Sequence, residues 1–182
     1  ANAEFIRVID GETVSAPASE STTIWNIDNG NLLGAFNVNV DGTLWDVRFI
    51  DGLFDIVFTD ASFVEVRTVS EAGAFSGALS ELVIRDVAPY LFDSRPASVF
   101  GCSVIEYCEL LTPFGLMHVG GVFTEVSIYQ NIFGGGGDSV NNNNWYSTQF
   151  DTTNAIQAVW AVWEQKVVED IPEPATFSIL AL

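Results

Sequence analysis

The chain has 182 residues, with 24 acidic against 6 basic side chains, a formal net charge of −18, two cysteines and one histidine. That length suits one domain with its own core, and 48% hydrophobic with 13% aromatic residues is too apolar for a disordered chain. The charge excludes a nucleic-acid partner and argues against an anionic membrane surface, because five scattered arginines and Lys166 form no basic patch.

Glu4–Ile9 reads as a strand ending at Asp10-Gly11, and a Ser/Thr/Pro/Ala stretch from Ser15 to Thr23 loops to a second run, Ile24–Ile27. Asp28-Asn29-Gly30-Asn31 reads as a turn. Phe36–Val40 alternates apolar and polar residues, and Asp41-Gly42 turns it into Leu44–Phe49. Asp-Gly between alternating runs is a strong hairpin signal. A second Asp-Gly, Asp51-Gly52, leads to Leu53–Phe58, so three β runs joined by two tight turns are expected to form a meander.

The period changes over Ser70–Val87, where Phe75, Leu79, Leu82 and Val83 recur at three- and four-residue spacing behind Ser70 as cap and Glu71 in the first turn. This predicts one amphipathic helix, weakened by Gly73 and Gly77 and ended by Pro89. Residues 88–115 read as a structured loop. Leu116–Val119 and Val122–Tyr129 are strands about a Gly120-Gly121 turn, and Gly134–Gly137 with Asn141–Asn144 reads as a polar loop. Trp145–Phe150 and Ala155–Glu164 follow as strands. The last is apolar on both faces, which suits a central strand or one buried at an interface. The expected fold is mainly β: an antiparallel β-sandwich or jelly-roll-like domain over residues 1–165, carrying one amphipathic helix at about 70–87.

Cys102 and Cys108 lie six apart in GCSVIEYCE, which is not a CxxC spacing. In an acidic, lysine-poor chain they point to an extracytoplasmic protein with one small disulfide loop, worth on the order of 2 kcal/mol. Two buried free thiols are the alternative.

Residues 166–171 form a charged linker, and residues 172–182 a tail in which Pro172-Glu173-Pro174 precedes an apolar run from Ala175. That run is far short of the ~20 residues that span a bilayer, so it reads as the incomplete start of a transmembrane segment. Ile171-Pro172-Glu173-Pro174-Ala175-Thr176 resembles the sorting tag of the PEP-CTERM proteins, a bacterial class. The resemblance implies recognition by an exosortase during export, and a place at the cell surface or outside the cell, anchored transiently or permanently by the tail. Gly42–Phe49, Cys108–Phe114 and Ala158–Trp163 are similar to a globular domain that recurs in that class and has no established activity. The opening Ala1-Asn2-Ala3 resembles the neighbourhood of a signal-peptidase site.

No catalytic set is legible, and an enzyme is not expected. His118 has no motif partner, no Gly-x-Ser-x-Gly elbow occurs, and Asp46, Asp51, Asp55 and Asp60 read as turn-forming or solvent-facing aspartates. One histidine and two cysteines are too few for a zinc site. Calcium is the one cofactor entertained, with Asp138, Asn141 and Asp151 as candidate oxygen donors. Five tryptophans are many for this length; Trp45 and Trp160 read as core, while Trp145, Tyr146 and Trp163 are candidate glycan or subunit contacts.

The expected function is that of a non-enzymatic surface protein that self-associates into a layer, filament or matrix, its partners being copies of itself. The alternatives are an exopolysaccharide-binding module, calcium-assisted or not, and a single-span accessory subunit of a membrane complex.

Overall fold

Two short turns organise the first half of the chain. Asn29-Gly30 and Asp41-Gly42 each place consecutive residues at positive φ (50° and 80°, 50° and 87°), as the tight hairpin turns that match strand twist require. They join β3 (Ile24–Asp28) to β4 (Asn31–Val40), and β4 to β5 (Thr43–Ile50). In this computed structural model, which describes residues 4–9, 12–15, 22–59, 68–134 and 136–166, β1 (Glu4–Ile9) pairs with β3 and with β2 (Glu12–Ser15).

A second antiparallel unit consists of β8 (Tyr107–His118), β9 (Val122–Ile132) and β10 (Ser139–Ser147). The last strand, β11 (Ala158–Gln165), inserts between the units, antiparallel to β5 and parallel to β8. All nine strands thus share one sheet in the order β10-β9-β8-β11-β5-β4-β3-β1-β2. A two-stranded hairpin, β6 (Asp86–Val87) with β7 (Tyr90–Leu91), stands apart around the cis Ala88–Pro89 bond.

Strand alternation divides the apolar residues between two layers. On one face Trp25, Trp45, Val47, Leu110, Tyr129, Val159 and Trp163 pack under the helix α2 (Val69–Ala78) and the π-helical turn Leu79–Val83 that continues it. Phe75 of α2 lies between Trp45 and Trp163, ring centroids 4.8 and 4.7 Å away. On the other face Leu111, Val126, Ile128, Trp160 and Val162 gather around Phe54 of the short helix α1 (Phe54–Val57) and Phe58, which caps its end. The chain is therefore mainly β and sandwich-like with one long helix, as expected from its pattern. Its sheet is mixed rather than purely antiparallel because β11 enters beside β8 in the same direction.

Several local expectations are corrected. Leu53–Phe58 is a helical turn, not a third meander strand. The slot beside β5 is taken by β11, and Gly52 at φ +148° spends its polar groups elsewhere: its N–H donates to Thr152 Oγ1 (2.9 Å) and its carbonyl accepts from Trp160 Nε1 (2.9 Å). The long helix is capped by Thr68 rather than Ser70. Thr68 and Glu71 form a reciprocal capping box, Glu71 N–H to Thr68 Oγ1 at 3.2 Å and Thr68 N–H to Glu71 Oε2 at 3.0 Å. It ends at Val83, before Pro89 is reached.

The loop expected over 88–115 gives way to β8 at Tyr107, and Pro113 is tolerated inside that strand at a bulge between Pro113 and Gly115. Asn141–Asn144 are not loop but part of the end strand β10. The linker beyond Lys166, the tail with Pro172, Glu173 and Pro174, and Asp60 lie outside the described residues.

Candidate functional site

Helix α2 lies across the faces of β8, β9 and β10, and Val69 at its N-terminal end borders a cleft on that face. Alternation along β9 points Phe123, Glu125, Ser127 and Tyr129 to the helix side, and the register sets Trp145 of β10 directly opposite Glu125. Trp145 is 59% exposed, and Phe123 braces its indole at close to a right angle (5.0 Å, 85°). The result is a cleft of about 330 Å³, at the small end of the roughly 300–1,000 Å³ of ligand clefts. Its apolar wall is Trp145, Phe114, Met117 and Val69, and its polar wall is Asn142, Asn143, Asn144 and Glu125.

Two glycines make room for the polar wall. A Cβ on Gly73 of α2 would stand 2.7 Å from Asn142 Nδ2, and a Cβ on Gly115 would stand 2.8 Å from Glu125 Oε2. Two buried hydroxyls hold the amide from beneath: Ser127 Oγ donates to Asn142 Oδ1 at 2.6 Å, and lies 2.6 Å from Ser76 Oγ of α2. The arrangement is an exposed flat aromatic beside amide donors and a carboxylate acceptor. It offers stacking and hydrogen bonding together.

Of the three candidate contact aromatics, only Trp145 is in this cleft. Tyr146, one residue on, faces the opposite side of the sheet, where it packs on Phe150 (4.6 Å) and its hydroxyl donates to Glu109 Oε2 (3.3 Å). Burial, and then the neighbouring Glu109 charge, push the Tyr146 phenol up to about 12; burial also raises the Glu109 carboxyl. Trp163 is 4% exposed, with its indole N–H donating to Thr112 Oγ1 at 3.2 Å. It is a core residue and offers no surface to a glycan or a second subunit.

The candidate calcium donors are not brought together. Asp138 stands before β10 and Asp151 beyond it, separated by a nine-residue strand that extends about 30 Å. Asp138 accepts from Tyr129 OH and from the Ile132 amide, both at 2.7 Å, while Asp151 caps Thr153 (3.0 Å) and Asn154 (3.1 Å). Asn141 accepts from the Asn143 amide at 3.2 Å. Among the described residues no group of three or more His, Cys, Asp or Glu is placed to hold a metal ion.

Beside Asp138, Asp93 is pushed up to about 6 by burial, by a carboxyl–carboxylate hydrogen bond to Asp138, and by the charges of Asp138 and Asp86. Cys102 and Cys108 are joined as a disulfide with Cα atoms 5.7 Å apart. The aspartates Asp46 and Asp55 serve structure: Asp46 accepts from the Asn37 amide (2.9 Å), and Asp55 from Gln149 (2.6 Å). His118 is exposed at the end of β8.

The sequence offers the Asn141–Asn144 stretch as a sugar-contacting loop beside Trp145, and the structure makes it an edge strand instead; Glu125 carries no such signal along the chain. No protein-family model, curated protein or solved structure matches the chain, and no described helix is long and apolar enough to cross a membrane.

Proposed function

We propose that this chain is an exported, non-enzymatic surface protein that binds polysaccharide in the Trp145 cleft and is held in an extracellular matrix by it. The observation that carries the reading is the exposed indole of Trp145, braced by Phe123 and flanked by Asn142–Asn144 and Glu125. The C–H face of a pyranose can lie on the indole while its hydroxyls meet the amides and the carboxylate. The disulfide and the resemblance of Ile171–Thr176 to a sorting tag support export. The test is native electrophoresis through gels carrying soluble polysaccharide. The chain should be retarded, and Trp145→Ala should migrate as it does in a blank gel; retardation unchanged by that substitution would refute the reading.

Self-association into a layer or filament is the second reading, and the edge of β10 favours it. Among the described residues this nine-residue end strand pairs with β9 on one side alone, and it carries no charged or proline residue. A bulge between Asn141 and Asn144 interrupts that edge. If copies add strand to strand there, Val140→Lys should lower the assembly mass in sedimentation without changing the fold. Raised salt should promote assembly, because a chain of charge −18 repels its copies.

A further inference from the structure

We infer, resting on the polysaccharide reading, that the cleft selects neutral hexose polysaccharides over uronate- or sulfate-bearing ones. Asn142 would be its held amide donor and Glu125 its acceptor. Two features of the polar wall lead there. The Asn142 carbonyl oxygen accepts the Ser127 hydroxyl at 2.6 Å, which fixes the orientation of the amide and leaves Nδ2, whose N–H groups make no hydrogen bond among the described residues, against Gly73. Among the described residues no cation pairs with Glu125 either: the ion pair found there is Arg48–Glu164, on other strands.

An unneutralised carboxylate accepts hydroxyl protons from a neutral sugar and repels a carboxylate or sulfate. The net charge of −18 works in the same direction. A glycine inside a helix is less stable than alanine there, so Gly73 needs a compensating reason. The space it leaves for Asn142 supplies one, since a methyl group would come within 2.7 Å of Nδ2. Trp145 provides the affinity, Asn142 and Glu125 the selectivity, and Ser76, Ser127 and Gly73 act as positioning residues.

The experiment is affinity electrophoresis of the full chain in gels of dextran, galactomannan or hydroxyethyl cellulose, beside gels of alginate or dextran sulfate at physiological salt. Retardation is expected in at least one neutral gel and in neither anionic one. Asn142→Asp keeps the shape and the Ser127 contact but removes the donor, and should weaken neutral binding by about tenfold. Gly73→Ala should weaken it comparably while leaving the unfolding temperature no lower than that of the parent, which separates displacement of Asn142 from loss of fold.

Equal retardation by alginate or dextran sulfate would overturn the selectivity and leave the polysaccharide reading standing. So would full affinity in folded Asn142→Asp. No retardation in any gel would overturn both.

Discussion

Strands β10 and β11 are nearly the same length, nine and eight residues, and belong to one sheet, yet their environments are opposite. In β11, Ala158 through Trp163 are all buried, because the strand has a neighbour on each edge and an apolar layer on each face. In β10 exposure alternates from Asn141 on, no strand among the described residues pairs with its outer edge, and the exposed positions include the site tryptophan. The contrast separates two meanings of strand composition. A strand apolar on both faces belongs to the middle of the sheet, and needs no subunit interface to explain it. A run of asparagines can be an edge strand, and need not be a loop.

The strongest test of that contrast is to charge the central strand. Val159→Lys places an unpaired ammonium at a position with 0% exposure and should abolish cooperative folding, seen as loss of near-ultraviolet circular dichroism. A folded Val159→Lys protein would mean that β11 is not central. Trp160→Ala removes the indole that meets Phe54 (5.3 Å), Phe58 (5.8 Å) and Phe150 (6.0 Å). It should cost about 3–5 kcal/mol in denaturant unfolding. Replacing Cys102 and Cys108 together by serine should cost about 2 kcal/mol, as expected for so small a loop.

A weaker effect, in pH, probes how the start of β10 is held. Asp93 has its pKa raised to about 6 in the folded chain, so its protonated form favours the fold. That contribution is complete below the ordinary carboxylate range and is lost as pH rises through about 6. Asp93→Asn should therefore raise the denaturation midpoint at pH 7.5 and leave it nearly unchanged at pH 4; equal shifts at both pH values would contradict the Asp93–Asp138 contact. The smallest effect on stability belongs to Trp145→Ala, within about 0.5 kcal/mol for an exposed edge residue, although polysaccharide retention should disappear. The two tryptophans thus divide the roles: Trp160 supports the fold, and Trp145 serves the surface.

Much of this was legible along the chain. The turns at Asn29-Gly30 and Asp41-Gly42, the helix around Phe75 and Leu79, and the cysteine pair each rest on local chemistry, and each is present near its expected place. Leu53–Phe58 misled because a short apolar run after Asp-Gly suits a strand or a helical turn equally, and the choice fell to Trp160, packed between Phe54 and Phe58 from 100 residues and more away in sequence. Trp145 was singled out correctly as exposed. Glu125 was not, because it meets Trp145 only through cross-strand register, and the asparagines beside it read as a loop because the packing of α2 on Asn142 is not visible along the chain.

Sequence by itself determined the β class, the hairpins at Asn29-Gly30 and Asp41-Gly42, the helix around Phe75, the nearness of the two cysteines and the acidity, because periodicity, turn geometry and charge act between residues close in the chain. Tertiary structure alone decided that β11 would divide β5 from β8, that Tyr146 would turn away from Trp145, and that Gly73 would lie beside Asn142. Alternation states which residues share a face, but not what that face will meet. The identity of the neighbour depends on strand order, and strand order is settled by burying both layers of the core at once.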